Sequence, residues 1–327
     1  MKFNWKETKK PILALSPMAD MTDSPFALTV HNLLKANKQT SRLIIFREMV
    51  SSEAIVRGNE KTLQMAAIND LERPIIQQIF GARPDIMAEA AKIIEEKFKP
   101  EGIDINMGCP SYKLTGNFNG AALMKNPELA AKIVKTVKKA VNLPISVKMR
   151  AGWSNHEECI EFSRRIEDAG ADLISIHGRT QKQGYAGHAH RDVVAKAKKT
   201  VKIPVLYNGD IFTWNDYFTA IKETKTDGAL IARGALGNPW IFMQIEEKIS
   251  GKNPQEISIK ERARVAEQHF LAHIDHYGEK ALPTFRKHLT WYFKGIPNFK
   301  NYKQKLMTAI KKEEVISILQ EISNQFN

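Results

Sequence analysis

Cysteine is scarce in this sequence, and long apolar runs are absent from it. Among 327 residues there are two cysteines, Cys109 and Cys159, and their wide separation argues against a disulfide framework and against a cysteine-rich metal site. No stretch reaches the ~18 apolar residues of a membrane span, and no apolar segment follows the lysine-rich residues 1–10 as it would in a signal peptide. The nine histidines do not pair at ligand spacing at strand ends. We therefore expect a cytoplasmic protein with no membrane partner and no metal.

Acidic residues are too few to balance the basic ones. There are 49 lysines and arginines against 36 aspartates and glutamates, which gives a formal net charge of +13. A polyanionic partner such as nucleic acid would account for this excess, whereas the alternative is a lysine-rich surface without functional meaning. Hydrophobic residues at 43% and charged residues at 26% are ordinary for a folded protein. The length suits one large domain, with or without a smaller appendix.

A glycine-rich turn is missing after the first predicted strand, where Ser16 to Ala19 follow. Such a turn is typical of doubly wound open sheets, so its absence favours a barrel. Eight short apolar runs, each followed by an amphipathic helical pattern, occur in about 240 residues, which matches a (β/α)8 TIM barrel of about 250 residues. The predicted strands are Ile12–Leu15, Leu43–Phe46, Ile75–Phe80, Ile103–Ile105, Ile145–Met149, Leu173–Ile176, Ile203–Leu206 and Ala229–Ile231.

The strand pattern stops near residue 250, where Ser250–Pro254 is typical of a linker. Four helical patterns follow it, and these are Glu261–His273, Pro283–Phe293, Tyr302–Ile310 and Glu313–Gln325. We therefore predict an α/β chain with two domains. Residues 1–248 would form the TIM-barrel catalytic domain, and residues 249–327 would form a small all-α domain.

Polar residues collect at the C-terminal ends of the predicted strands, where barrel enzymes carry their active sites. Strand alternation places Asp104 and Asn106 on one face, and Lys148 on the same face as Ser146. A lysine in an apolar strand is costly unless it meets an anion or ordered polar partners. It indicates either a buried ion pair or, with polar residues at several neighbouring strand ends, a ligand site. The glycines and Arg233 after strands seven and eight suit a phosphate group.

Cys109 is the cysteine at this predicted site. It lies in a loop between Gly108 and Pro110, and no C-x-x-C partner accompanies it. The residue types alone leave three roles open, namely a nucleophile, a general acid or an inert small side chain. Cys159 follows two glutamates on a predicted helix, and we assign it a structural role.

Six motifs occur in a fixed order along the chain, and each of them is weak alone. They are Pro17–Asp23, Asn106–Pro110, Val147–Arg150, His177–Thr180, Asn208–Asp210 and Ala232–Gly234. As an ordered set they resemble the tRNA-dihydrouridine synthase family, whose members are flavin enzymes that reduce particular uridines in tRNA. The resemblance runs from Pro17 to Phe242 and continues more weakly through His288–Tyr292. It implies tRNA as the substrate, FMN as the cofactor and NADPH or NADH as the reductant, and we expect a monomer.

The resemblance also implies which residues bind FMN. Gln78 and Asn106 would hydrogen-bond the flavin ring, and Lys148 would lie near its N1/O2 edge, where a cation stabilises the anionic reduced flavin. The loops after strands seven and eight would hold the ribityl chain and the phosphate. The complete implied set is Pro17, Met18, Ala19, Gln78, Asn106, Lys148, His177, Arg179, Asn208, Gly209, Asp210, Ala232 and Arg233.

Within this resemblance Cys109 takes the role of the general acid. Reduction of the 5,6-double bond of uracil needs a hydride at C6, which reduced FMN supplies, and a proton at C5. A thiol, with an ordinary pKa of about 8.5, is protonated near neutrality yet gives up its proton readily. A uridine stacked within tRNA cannot reach a barrel opening, so we also expect the base to be extruded.

The sequence departs from the family pattern at a few positions. Asp20 stands where glycine is usual, and Ala27 stands where arginine is common. The segments Gly116–Asn119 and Gly187–Asp192 also differ from the family's usual loops. These two loop changes bear on the identity of the target uridine more than on the reaction.

The C-terminal region is strongly basic. Nine basic residues and no acidic ones occur from Lys280 to Lys312, interleaved with six aromatic residues. Basic side chains contact phosphates and aromatic ones stack on bases, although aromatic residues at helical spacing equally serve as the core of a small domain. The expected tRNA-binding residues are Lys113, Arg191, Arg286, Lys287 and Lys294.

Two other functions fit parts of this pattern. An FMN-dependent barrel reductase that acts on a free pyrimidine, of the dihydroorotate dehydrogenase kind, would share the flavin loops but would have no use for a basic helical tail. An RNA-binding protein with a vestigial barrel would have no reason to carry Cys109, Lys148 and His177 together.

Overall fold

Eight parallel strands close into a barrel in chain order, with the first strand paired to the last. The structure is a computed structural model that describes residues 3–36, 42–111, 115–116 and 118–326. The strands are β1 Ile12–Leu15, β2 Leu43–Ser51, β3 Ile75–Phe80, β4 Gly102–Met107, β5 Ile145–Gly152, β6 Leu173–Thr180, β7 Val205–Asn208 and β8 Gly228–Ile231. The predicted TIM barrel is confirmed, and every predicted run overlaps one of these strands.

Several strands extend further than the sequence predicts. The strand β2 continues to Ser51, β5 continues to Gly152 and β6 continues to Thr180. The apolar pattern ends before these residues, whereas the hydrogen bonds to neighbouring strands continue through polar ones. Parallel strands inside a barrel are buried on both faces, so their polar ends are held in place by tertiary contacts.

Four of the helices that follow the barrel strands begin at a residue whose side chain caps the first turn. Asn126 accepts a hydrogen bond from the backbone N–H of Leu129 at 3.0 Å, and Pro127 occupies the first turn. Thr213 forms a capping box with Asp216. The helices that come between barrel strands in the chain are α1 Ser24–Ala36, α2 Ser52–Val56, α3 Glu60–Ala66, α4 Pro84–Phe98, α5 Pro127–Ala140, α6 Glu158–Asp168, α7 Arg191–Lys198 and α8 Trp214–Thr224.

Helices alone make up the remainder of the described chain, together with short 3-10 turns. They are α9 Trp240–Ile249, α10 Ile259–Tyr277, α11 Leu282–Tyr292, α12 Lys300–Thr308 and α13 Lys312–Gln325. Each of the four helical patterns predicted after residue 254 corresponds to one of the last four helices. In the described ranges no helix combines the length and the apolar composition that crossing a bilayer needs.

The chain divides into two compact units. The barrel unit comprises Met1–Thr22 and Arg42–Ala232, and the helical unit comprises Asp23–Ser41 and Arg233–Asn327. The helical unit therefore includes α1 and α9 as well as the C-terminal helices. The predicted division between residues 248 and 249 rests on the loss of strand patterns, a signal that does not reveal which earlier helices pack with the later ones. It stays a prediction.

Each unit has its own apolar core. In the barrel unit, Trp5 stacks on Phe46 with 5.9 Å between ring centroids, beside inward-facing residues such as Ile12 and Leu230. In the helical unit, Phe270 and Phe285 are fully buried with centroids 5.3 Å apart. Six aromatic residues lie between Lys280 and Lys312, and five of them are buried at 9% exposure or less. The prediction that aromatic residues of this region form the core of a small domain is confirmed for these five, which are Phe285, Tyr292, Phe293, Phe299 and Tyr302.

Candidate active site

Polar side chains from three neighbouring strands form a hydrogen-bonded layer inside the barrel. The carboxylate of Asp104 accepts hydrogen bonds from the amide of Gln78 and from the hydroxyl of Ser146, both at 2.6 Å. The amide of Asn106 donates to Oε1 of Gln78 at 2.8 Å. In the strand register Asp104 lies opposite Ser146, and Asn106 lies opposite Lys148. The predicted placement of these four residues on one face is confirmed.

Lys148 and Asp104 are ionisable groups in an environment that disfavours charge. Lys148 is half-buried, and desolvation lowers the pKa of Lys148 to about 8. Repulsion by Arg150 acts in the same direction, while Asp104 and Cys109 oppose it. Burial raises the pKa of Asp104 to about 6, against the hydrogen bonds from Ser146 and Gln78. Within the described chain no hydrogen bond or ion pair joins Lys148 to another side chain.

The loop that carries Cys109 is held by Asn106. The side-chain oxygen of Asn106 accepts hydrogen bonds from the backbone N–H groups of Gly108, at 3.2 Å, and of Cys109, at 3.0 Å. The carbonyl of Cys109 accepts a hydrogen bond from Ala121 at 3.0 Å. Gly120 lies so close that a Cβ there would be 2.8 Å from the Cys109 carbonyl oxygen. Cys109 is partly exposed, whereas Cys159 is fully buried, as its predicted structural role requires.

The loops after β6 and β7 are joined by an ion pair between predicted site residues. Arg179 Nη2 lies 2.8 Å from the carboxylate of Asp210 and also donates to the Gly187 carbonyl at 2.6 Å. The same carboxylate accepts the backbone N–H of Ala189 at 2.8 Å. The ring of His177 is 3.3 Å from Arg179 Nη1. The structure therefore brings these predicted residues together and gives Arg179 and Asp210 a role in holding the loop 186–189.

Gly209 requires glycine at its position. Its φ is +131°, a conformation that L-residues rarely adopt. A Cβ there would lie 2.5 Å from Cβ of Ala189 and 3.2 Å from Cδ2 of His177. The amide of the neighbouring Asn208 donates to the Leu230 carbonyl at 2.9 Å, which connects β7 to β8. The backbone at Gly209 is thus packed directly against the loop 186–189, with no room for a side chain.

The segment after β1 places Pro17, Met18 and Ala19 at the partly exposed end of that strand. Met18 and Thr22 hydrogen-bond each other, with the N–H of Met18 2.8 Å from the Thr22 hydroxyl. Asp20, where the family usually has glycine, has φ +59°, so it occupies the left-handed region that glycine and aspartate tolerate best. This conformation explains how aspartate replaces glycine there.

The end of β8 and the start of the helical unit carry the last two predicted FMN-binding residues. Ala232 is half-buried directly after β8. Arg233 follows it in the chain, opens the 3-10 turn Arg233–Ala235 and is also half-buried. Their assignment to FMN stays a prediction.

The predicted tRNA-binding residues have varied surroundings. Lys113 lies outside the described residues. Arg191 forms an ion pair with Glu223 at 2.9 Å, and Arg286 donates to the Ala309 carbonyl at 2.9 Å. Lys287 is half-buried, and Lys294 is exposed with its ammonium 4.8 Å from the centre of the Trp291 ring. These contacts leave the tRNA-binding assignment a prediction.

Two buried charged residues beside the site were not predicted from the sequence. Arg150 donates to the carbonyls of Gly108, Thr180 and Gly184 at 2.8–2.9 Å, so it joins the loops after β4 and β6. Glu48 is 4% exposed and accepts the backbone N–H of Asp20 at 2.9 Å. A charged residue directly after an apolar run is the signal that could have identified both. In the described part of the chain no three His, Cys, Asp or Glu side chains converge as metal ligands would.

Comparisons with known proteins identify the family of this chain. A family model described as Dihydrouridine synthase (Dus) matches residues 13–327. A probable tRNA-dihydrouridine synthase of Rickettsia conorii is 37% identical over 290 residues, which is 88% of this chain and 85% of the relative. Another from Synechocystis is 38% identical over 286 residues, covering 86% and 78%. The tRNA-dihydrouridine synthase B of Pasteurella multocida is 35% identical over 288 residues, covering 87% and 84%.

Solved structures match the fold at low sequence identity. Histamine dehydrogenase from Rhizobium has a TM-score of 0.57 at 11% identity, covering 97% of this chain and 63% of that one. A 2-naphthoyl-CoA reductase has a TM-score of 0.53 at 13% identity, and this chain spans about half of its length, 53%, with 77% of this chain matched. These likenesses concern the barrel fold alone. The family match and the curated relatives, which cover most of the chain, mean that this chain belongs to the dihydrouridine synthase family.

Proposed function

We propose that this protein reduces uridine in tRNA to dihydrouridine, with FMN as cofactor, NADPH or NADH as reductant and Cys109 as proton donor. Membership of the family supports the reaction. The observation that carries the proposal is the combination of the Lys148 ammonium, without a bonded partner in the described chain, and the anchored Cys109 loop on the neighbouring strand. A cation and a thiol at one end of a barrel are what this reduction requires.

The residues present fit FMN. The ammonium of Lys148 is desolvated and can act as a counter-charge for an anionic ring edge, which removes the cost of burying it alone. Gly209, without a side chain, lets the loop 186–189 pack closely against the end of β7, which a Cβ at that position would prevent. Arg233 directly follows Ala232 and supplies a guanidinium, the group best suited to a phosphate. Arg179 and Asp210 hold the loop 186–189, and their assignment to FMN stays a prediction.

Some of the protein's own side chains bind and orient the cofactor, and another transfers the proton. When bound, FMN supplies the hydride that is added at C6 of the uracil ring. Lys148 contributes a positive charge inside the barrel, and its pKa of about 8 lets it carry that charge near neutrality. Asn106 donates to Gln78, and Gln78 donates to Asp104, so the three side chains form a preorganised polar wall.

Cys109 gives its thiol proton to C5 of uracil. Its backbone is held at 3.0 Å from Asn106 and at 3.0 Å from Ala121, which fixes the loop on both sides of the thiol. The side chain is partly exposed, so a base extruded from tRNA can approach it. A positioned acid of this kind contributes about 10²–10⁴-fold to a rate.

The tRNA substrate accounts for the excess of positive charge. The helical unit carries basic residues without an intervening acidic residue from Lys280 to Lys312, and of these Lys294 and Lys287 are proposed phosphate contacts. Affinity that depends on phosphate contacts falls steeply as salt concentration rises. Salt-independent tRNA binding would contradict this part of the proposal.

An anaerobic titration tests the proposal. The purified protein is saturated with FMN and bleached with NADPH or NADH, and unmodified tRNA is then added while visible absorbance is followed. Return of the oxidised flavin spectrum with tRNA, and not with free uridine or orotate, is the expected result. A protein that takes up no FMN would contradict the cofactor assignment, and re-oxidation by orotate alone would indicate a small-molecule reductase.

A further inference from the structure

A separate cavity lies within the helical unit, between α11, α12 and the loop that joins them. Its volume is about 220 Å³, below the ~300 Å³ at which pockets begin to enclose a drug-sized ligand. Its floor is apolar and buried, formed by Leu289, Phe293, Phe299 and Leu306, which are 1–6% exposed. The size and the lining suit one flat ring system rather than an extended ligand.

The rim of this cavity is positively charged. Lys294, Lys300 and Lys303 line it, and all three side chains are exposed. No ion pair joins any of these three lysines to an acidic group of the described chain, whereas the nearby Lys305 is paired with Glu321 at 3.2 Å. The lining includes no aspartate or glutamate. An occupant must therefore combine an apolar flat body with negative charge outside the cavity.

The floor of this cavity is aromatic, and two of its rings stack on each other. The rings of Phe293 and Phe299 are nearly parallel, with 4.6 Å between centroids and 18° between planes. Phe299 in turn lies 5.5 Å from the ring of Tyr302. A planar heteroaromatic ring gains stacking energy on aromatic faces, and the phosphates on either side of a nucleotide reach outward to lysines.

From these features we propose that the cavity, named here the α11–α12 pocket, binds one unstacked nucleobase of the RNA substrate, distinct from the uridine to be reduced. The flanking phosphates are bound by Lys294, Lys300 and Lys303. This inference rests on the proposed function for the identity of the partner. It adds to the proposed uridine site a second point at which an unpaired nucleotide is bound, and so a specificity element within the helical unit.

Methyl NMR on the FMN-loaded full-length protein tests base insertion directly. The reporters are the methyl groups of Leu289, Ile296, Leu306 and Met307, which line the pocket. A base that enters shifts these signals upfield through its ring current on addition of tRNA, while Leu319 of α13, buried outside the pocket, serves as the internal reference. Phosphate contacts to the lysines alone would not produce that upfield pattern.

A pocket-filling variant gives an independent measure. Ile296→Trp places a ring in the cavity. We expect the KM for tRNA to rise about tenfold, which corresponds to the loss of one base–aromatic stack, while kcat stays unchanged. The matched control is Ile310→Trp, the same substitution at a residue of the same unit that is 75% exposed and outside the pocket. Its KM should equal that of the unsubstituted protein.

The outcomes separate this inference from the proposed function. If tRNA binds and is reduced but the pocket methyl signals do not move upfield, the base pocket is wrong and the proposed function stands. Unchanged KM in folded Ile296→Trp would also overturn the pocket. If the unsubstituted protein binds no tRNA, both proposals fail. Should Ile296→Trp not fold, the NMR measurement on the unsubstituted protein decides alone.

Discussion

The side-chain oxygen of Asn106 lies 3.0 Å from the backbone nitrogen of Cys109, and it accepts the N–H of Gly108 as well. The other end of the same amide donates to Gln78, which bonds Asp104. One asparagine at the end of β4 thus connects the polar layer inside the barrel to the loop with the proposed acid.

Replacement of Cys109 by alanine should separate cofactor binding from turnover. Cys109→Ala removes the proposed proton donor and leaves the hydrogen bonds of its backbone to Asn106 and Ala121 in place. We expect unchanged FMN affinity and a loss of roughly 10²–10⁴-fold in the rate of dihydrouridine formation. Single-turnover kinetics with reduced enzyme and tRNA measure this rate. Full activity in the variant would remove Cys109 from the mechanism.

Asn106→Ala should lower kcat through the position of Cys109. Two backbone N–H groups lose their acceptor, so the loop moves, and a misplacement of about 1 Å costs up to ~10²-fold. The rate of alkylation of Cys109 by iodoacetamide should change in the same variant, which distinguishes repositioning from a general loss of stability. The matched control is Asn126→Ala, another asparagine that accepts a backbone N–H, at 3.0 Å, but at the start of α5. That variant should keep both the kcat and the alkylation rate.

Asp104→Asn should move the pH dependence of catalysis. Burial lowers the pKa of Lys148 to about 8, and the negative charge of Asp104 opposes that shift. Without this charge the ammonium form is less favourable, so the pKa of Lys148 falls further. The alkaline limb of the kcat/KM profile should then move to lower pH, because Lys148 loses its positive charge earlier. An alkaline limb at the same pH in both proteins would show that Lys148 is not the group that limits it.

Gly209→Ala should weaken FMN binding. The φ of +131° disfavours any L-residue, and the new Cβ would meet Ala189 at 2.5 Å, so strain of about 1–3 kcal/mol is expected in the loop. That corresponds to a loss in FMN affinity of about tenfold or more, measured by flavin fluorescence titration. Gly184→Ala is the control, since Gly184 also has a positive φ, +57°, but nothing lies within 4 Å of its Cβ position. Equal FMN affinity in the two variants would show that the close packing of Gly209 against Ala189 does not affect FMN binding.

The buried histidines of the helical unit should make its stability sensitive to acid. Burial lowers the pKa of His288 from 6.5 to about 4 and lowers the pKa of His269 as well. In the described chain neither ring nitrogen of His288 has a hydrogen-bond partner. Between pH 6.5 and pH 4 the unfolded chain binds more protons than the folded one, so the free energy of unfolding is highest above pH 6.5 and falls as pH drops through this window.

His288→Leu should flatten that dependence. Leucine is similar in size to histidine but has no ionisable group, so the substitution removes one histidine that must stay neutral in the fold. Each unit of pKa shift is worth about 1.4 kcal/mol. Urea unfolding followed by circular dichroism between pH 7 and pH 4 measures the slope. His276→Leu, at an exposed histidine of α10, is the control and should keep the slope of the unsubstituted protein. An identical slope in His288→Leu would place the acid sensitivity elsewhere.

The alternation of apolar runs and helical patterns was sufficient to predict the barrel, because each unit is a local pattern. Strand parity also predicted that Asp104, Asn106, Ser146 and Lys148 share a face, since side-chain direction follows from position along a strand. The ordered motifs carried the family resemblance, which the family match over residues 13–327 confirms. These conclusions needed only neighbouring residues and their order.

The tertiary structure decided what those residues contact. Sequence analysis assigned Arg179 and Asp210 to the cofactor separately, whereas they bond each other at 2.8 Å across two loops. It did not single out Arg150 and Glu48, whose partners lie in segments distant along the chain. Nor did it group α1 and α9 with the C-terminal helices. Hydrogen bonds and packing between distant segments depend on the closed barrel and the folded helical unit, so they exist only once the chain has folded.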